Sequence, residues 1–125
     1  MEIRVFTLCD GAYNYNSKLT IVGTSDNLKV LRVPCIASVG LAIKLVFSAS
    51  EFGKKNVEIM FKRLSDGQQV LPPLQFQTTV ESKGQEGYIV LAANINGLNI
   101  QETGKHAVEV NVDGNVVVLP FLVIQ

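Results

Sequence analysis

His106 is the only histidine in the chain, and with Cys9 and Cys35 it makes up the supply of side chains suited to proton transfer or nucleophilic attack near neutral pH. Cys9-Asp10 is the most tempting local pair. A nucleophilic thiol needs a neighbouring base or cation that lowers its pKa, and nothing in the sequence brings His106 to Cys9, so a buried, inert cysteine is expected. His106 itself falls on the same side of an alternating stretch as Val108, Val110 and Val112. A lone histidine there is expected to bond a backbone carbonyl, since general base work needs a second positioned group and zinc needs several ligands. Asp66 and Asp113 each precede glycine, where a carboxylate caps backbone groups of a turn and tolerates unusual dihedrals. No acidic spacing matches a calcium loop, no glycine cluster matches a phosphate cradle, and no serine sits in a nucleophile elbow. No catalytic residue, metal ligand or cofactor is therefore assigned, and the chain is not expected to be an enzyme.

Tyr13, Asn14, Tyr15 and Asn16 differ in kind, because two of the three tyrosines stand among asparagines in the turn-rich stretch Asp10–Ser17. Tyrosine offers large contact area at small entropic cost, and asparagine offers adaptable hydrogen bonds. These four residues are the expected binding positions, on a loop.

The elements that must position them follow from alternation and turn residues. Ile3–Leu8 reads as a strand leading into the Asp10–Ser17 loop, and Lys18–Gly23 as its neighbour. Leu28–Val33 reads as a short edge strand ending at Pro34, and Cys35–Ala49 as a central strand with Leu41, Ile43, Leu45 and Phe47 on one face. One helical turn is expected within Ser50–Lys55, then a hairpin of Val57–Lys62 with Val70-Leu71 across the Ser65-Asp66-Gly67 turn. Leu74–Val80 is a polar edge strand after Pro72-Pro73, and Ser82–Gly87 a loop before Tyr88–Ile95. The clearest unit is the hairpin Gly104–Ile124, turning at Asp113-Gly114. Its second arm is apolar at nearly every position but contains Pro120, which removes a ladder donor and demands an edge or a bulge; a bulge is expected there, with one side of the strand on the core and the other on a loop or a second subunit. No window carries a sustained helical period, and the connections are too short for parallel crossovers. The fold class is all-β: an antiparallel two-sheet β-sandwich of about seven or eight strands in one domain, residues 1–125.

Composition bounds the function. With 47% hydrophobic and 18% charged residues the chain sustains a core and is not of disordered composition. Eleven basic and eleven acidic residues cancel without forming blocks, which leaves no footprint of a nucleic-acid or membrane-surface binder. The start of the chain lacks the apolar core of a signal peptide, and no apolar run approaches the roughly 18 residues of a membrane helix, so a cytoplasmic setting is expected.

Leu98-x-Ile100, then Glu102-Thr103-Gly104-x-His106 and an alternating strand, resembles the end of immunoglobulin-like sandwiches. The buried tryptophan of that fold is missing, and Cys9 and Cys35 are too close in sequence for its inter-sheet disulfide, so the resemblance implies architecture alone. Leu8-x-Asp10-x-Ala12, Lys18-Leu19-x-Ile21-x-Gly23, Val112-Asp113-Gly114 and Leu119-Pro120-x-x-Val123 together resemble a family of short bacterial proteins of unknown function. That resemblance implies a bacterial, intracellular setting and no inherited activity. The resulting expectation is a non-catalytic protein-protein interaction or assembly module, with a homodimer or another protein as partner. The alternative is a binder of a small polar ligand such as a carbohydrate through Asp10–Ser17.

Overall fold

In the computed structural model, which describes residues 1–16, 18–80 and 82–125, two β-sheets pack face to face. The strands are β1 (Glu2–Tyr15), β2 (Lys18–Ser25), β3 (Asn27–Lys29), β4 (Cys35–Ser48), β5 (Gly53–Arg63), β6 (Leu74–Val80), β7 (Ser82–Lys83), β8 (Glu86–Ile100), β9 (Gly104–Val112) and β10 (Asn115–Ile124). One sheet has the order β2-β1-β4-β8-β7 and the other β3-β10-β9-β5-β6. All pairings are antiparallel except that of β3 with β10. The two-sheet antiparallel architecture is the one the alternation predicts; the expected edge strand Leu28–Val33 forms only at its start, as β3, and β7 falls where a loop was expected.

The core is where the period of two places it. Leu41, Ile43, Leu45 and Phe47 of β4 face Val57, Ile59 and Phe61 of β5 and Val108, Val110 and Val112 of β9, all buried. Each such side chain contributes about 1.5–3 kcal/mol by leaving water. Phe61 and Phe121 meet edge to face at 6.4 Å between ring centroids. Val70 closes one end of the sandwich: its N–H donates to Phe61 O at 2.9 Å while its carbonyl accepts from Asn99 N–H at 2.8 Å. The expected hairpin forms only at its turn end, through Arg63 N–H to Gln68 O at 2.9 Å, the single bridge Lys62–Gln69 and the Val70 bond to Phe61, before the chain leaves and returns to β5 as β6.

Two bulges set the phase of the long strands. Ala37 pairs with Leu98 and Ser38 with Asn96, so Gly97 is skipped, at a φ of 88° that glycine adopts without strain. The slip lets Ile95 and Leu98, three residues apart, both point inward. In β1 the register shifts between Ile3 and Val5, which turns Phe6 and Leu8 toward the core. At Pro120, by contrast, there is no bulge. The β9–β10 ladder runs without a shift from Asn115–Val112 to Val123–Gly104. An edge position solves the same problem: Leu122 sends its N–H away from β9 to Asp26 O at 3.2 Å, and Pro120, two residues earlier, faces the same side.

The Asp10–Ser17 loop is also corrected. β1 continues through Asp10 to Tyr15 and pairs with β2 up to Tyr15–Lys18, leaving Asn16 at the turn with a φ of 49°; Ser17 lies outside the described residues. This hairpin bends over the outer face of its own sheet. Asn94 of β8 holds it there, accepting from Ala12 N–H and donating to Ala12 O, each at 3.2 Å. Cys9, Ala12 and Ala42 are buried beneath it, with Leu19, Ile21 and Ala92 around them. Gly40 makes the close approach feasible, since a Cβ there would stand 2.8 Å from Cys9 Sγ and 3.0 Å from Cys9 O. Asn94→Ala leaves the Ala12 N–H and carbonyl without their partner, and a loss of about 1–3 kcal/mol is expected by chemical denaturation. Hydrogen exchange at Ala12 accelerates in that variant while the amides of β9 keep their protection.

Candidate functional site

The residues with reactive side chains are dispersed and quiet. Cys9 is 3% exposed, and burial raises its thiol pKa, as does the neighbouring Asp10 charge, against a lowering bond to the Gly11 backbone. Both cysteines are free thiols. His106 is fully buried, with Nδ1 3.0 Å from Gly104 O and its ring 5.6 Å from that of Phe121, the structural placement that its strand position implies. Nε2 has no partner among the described residues. Asp66 accepts from Gln68 N–H at 3.0 Å and so caps its own turn, whereas Asp113 takes the positive φ of its turn, 48°, and turns its carboxylate to the Asn56 N–H of β5 at 2.8 Å. The Arg63 guanidinium beside Asp66 helps hold that carboxyl down at about 2. No three potential ligands among histidine, cysteine and the acids converge on a metal position within the described residues.

Tyr13, Asn14, Tyr15 and Asn16 occupy the far end of the β1–β2 hairpin, with Tyr13 56% and Tyr15 71% exposed. The Tyr13 ring lies over Gly11, so it is carried by a strand rather than a mobile loop. A cleft of about 550 Å³ lies elsewhere, on the outer face of β5, β6 and β9, among Asn56, Glu58, Gln75, Gln77, Asn111 and Asp113. Its polar atoms are turned on each other: Gln77 Nε2 donates to Asn56 Oδ1 at 2.8 Å, Gln75 to Glu58, and Asn111 Oδ1 accepts from Gly114 N–H at 2.7 Å.

One flank of the sandwich is different. β2 pairs with β1 only from Leu8 to Tyr15, and β3 pairs with β10 only from Leu122 to Ile124. Because β2 and β3 are joined through Asp26, they cover the same flank and leave Glu2–Thr7 and Asn115–Phe121 open below them. The open part of β1 is blunted by its bulge and by Arg4, whose Nε lies 3.2 Å from Glu2 Oε1. The open part of β10 is blunted only at Pro120. From Asn115 to Leu119 it carries no charge, and it shows Val116 at 52% and Val118 at 53% exposure. The backbone groups of Val116 and Val118 face outward with that of Pro120, and no described residue pairs with them. Pro120 is the one sequence signal that points here, but it fits a bulge as well as an edge, because which strand lies at a border depends on the strand order.

Comparison with known proteins adds a family and a fold. The model of a family described as "Family of unknown function (DUF6941)" matches residues 4–124. The chain belongs to this family. No curated protein matches it in sequence. Among solved structures it is similar to the Pseudomonas fluorescens alkylpurine DNA glycosylase AlkC bound to DNA containing an abasic site analog, with a TM-score of 0.57 and 13% identity. That match covers 99% of this chain and 30% of the glycosylase, and at such identity it speaks for the fold alone.

The placement of Cys9 under the hairpin gives an expected outcome for this member of the family. At pH 7.5 iodoacetamide alkylates the half-buried Cys35 faster than Cys9 by roughly a hundredfold, the protection of a local opening of about 3 kcal/mol. The difference vanishes in denaturant, and Asn94→Ala narrows it; peptide mass spectrometry over time reads both sites.

Proposed function

We propose that this family member is a non-catalytic interaction module of the bacterial cytoplasm that binds a protein through the open edge of β10. The observation that carries the reading is the uncharged Asn115–Leu119 stretch, which presents unpaired backbone groups and two half-exposed valines side by side. Natural sheets blunt such edges with charge, proline or a bulge, and β10 does so only at Pro120. Strand addition uses the rest: main-chain bonds supply affinity and alternating side chains supply selectivity.

The strand order supports an immunoglobulin-like reading of the module. β1-β4-β8-β7 opposite β10-β9-β5 follows the ABED and GFC order of constant-type immunoglobulin domains, with β2, β3 and β6 added at the borders. His106 stands where that fold places its corner tyrosine, and like it bonds a backbone carbonyl just upstream. Burial and a raised pKa at Cys9 argue in the same direction, away from thiol catalysis.

The experiment compares the wild-type chain with a Val116→Lys, Val118→Lys double variant in affinity capture, quantified by mass spectrometry. Both positions are solvent-facing, so stability should change by only about 0.5 kcal/mol per site. The specific partner is expected to fall at least about tenfold in the double variant, equivalent to about 1.4 kcal/mol of binding. Equal retention by a variant with an unchanged melting temperature would refute the edge as the contact.

A further inference from the structure

We propose that the open segment of β10 pairs antiparallel with the same segment of a second copy of this chain, in the register that sets Val116 of each copy opposite Val118 of the other. This rests on the interaction-module reading and names its partner. It follows from counting the backbone groups that the edge offers. Val116 and Val118 each present an N–H and a carbonyl, Pro120 a carbonyl alone, and the N–H of Leu122 is already bonded to Asp26 O.

A two-fold axis at Val118 would set each Val116 against a proline and strand its carbonyl. An axis at Leu119 would do the same to Val118. An axis at Val116 would set Val118 against Gly114, whose N–H is bonded to Asn111 Oδ1. Only the axis at Val117 satisfies both donors and both acceptors of each copy. In that register Pro120 meets Gly114 of the other copy, and the space beside Gly114, where a Cβ would stand, is open. The contact is isologous, so one surface serves both partners.

Charge permits the approach. Asn115–Ile124 contains no ionisable residue, and eleven basic residues balance eleven acidic ones, so copies feel no net repulsion. The nearest acid on the face, Glu109 beside Val118, is neutralised by Lys62 Nζ at 3.0 Å. The two Glu109 side chains would stand three strand spacings apart, about 14 Å. That exceeds the screening length of about 8 Å at physiological salt. The four valines of the two copies become neighbours on one face, and two five-stranded sheets become one continuous sheet. Among the other borders, β1 has its bulge and Arg4, β2 is interrupted at Gly23 by a φ of 66°, and β6 turns Gln75, Gln77 and Thr79 to solvent.

A ladder this short buries less than the roughly 1,200 Å² of a stable complex, so the dimer is weak and concentration-dependent. Sedimentation equilibrium of the full chain from about 5 μM to about 1 mM tests it, with a monomer–dimer equilibrium expected and a loss of at least tenfold in association for Val118→Lys. In a Cys35→Ser background, Val117→Cys should form a covalent dimer on mild oxidation, because the axis brings its two copies together. Asn115→Cys should not, since its copies lie about four residues out of register, roughly 14 Å apart. A wild-type chain that stays monomeric at every concentration overturns the proposal, whether or not the cysteine variants fold. So does cross-linking as fast at residue 115 as at 117. If a different protein is captured through Val116 and Val118 while the chain remains monomeric, self-pairing fails and the interaction-module reading stands. If capture of that protein ignores Val116 and Val118, the interaction reading itself fails.

Discussion

The pairing of β4 with β8 along the whole of Cys35–Ser48 is the constraint on which the rest of the sandwich depends. Over Gly40–Val46 β4 is also flanked by β1, so that part of its backbone is paired on both sides, and its inner residues Leu41, Ile43, Leu45 and Phe47 make up much of the core. A strand so placed has no tolerance for a phase error, because one residue of slip sends every core side chain to the other face. The bulge at Gly97 is the correction that β8 needs to stay in step over this length. Without it Leu98 and Ile100, both fully buried, would point away from the core. Gly97 thus links a backbone dihedral to the packing of a whole sheet.

The same strand explains why the β1–β2 hairpin is where it is. Gly40, Ala42 and Ala92 leave the outer face of the sheet flat and low, and a flat apolar surface is stabilised by whatever covers it. Bending β1 across it buries Cys9 and Ala12, but takes the Ala12 amide and carbonyl away from a regular ladder partner. Asn94 supplies both a donor and an acceptor at that point, which is why an asparagine rather than another small residue stands there. The buried thiol of Cys9 is a by-product of this packing.

Much of the architecture was legible because most strands have one buried and one wet face. The alternations of β4, β5 and β9, the turn at Asp113-Gly114 and the carbonyl bond of His106 all follow from local pattern. The failures share a cause. Asp10–Ser17 looks like a loop because asparagine, glycine and tyrosine crowd there, while the residue that keeps it extended, Asn94, is 82 positions away. Pro120 signals a broken donor, yet a bulge and an edge satisfy proline equally well, and only the position of β10 beside β3 decides between them. Gly97 carried the bulge instead, in a stretch where Ile95 and Leu98 already broke the period of two. The candidate site at β10 was legible only as an apolar arm with one side offered to a loop or a second subunit; that its open side is a sheet edge was not, since an edge is a property of strand order.

The open flank is a consequence of how little chain is available to close it. Between Lys18 and Val30 the protein has to border both sheets, and it spends eight residues on β2 before crossing at Asp26 to the three of β3. At about 3.3 Å per residue, β3 can shield only the last 10 Å of β10. Lengthening β3 would cover Asn115–Phe121 and remove the edge, and shortening β2 would uncover the hairpin that roofs Cys9. The chain resolves this by protecting β1 with a bulge and an ion pair and by placing one proline in β10. Pro120 forbids pairing at its own position while leaving Val116 and Val118 able to pair. It therefore limits how a strand can add to this edge without abolishing addition, and it turns an aggregation hazard into a contact with a defined register.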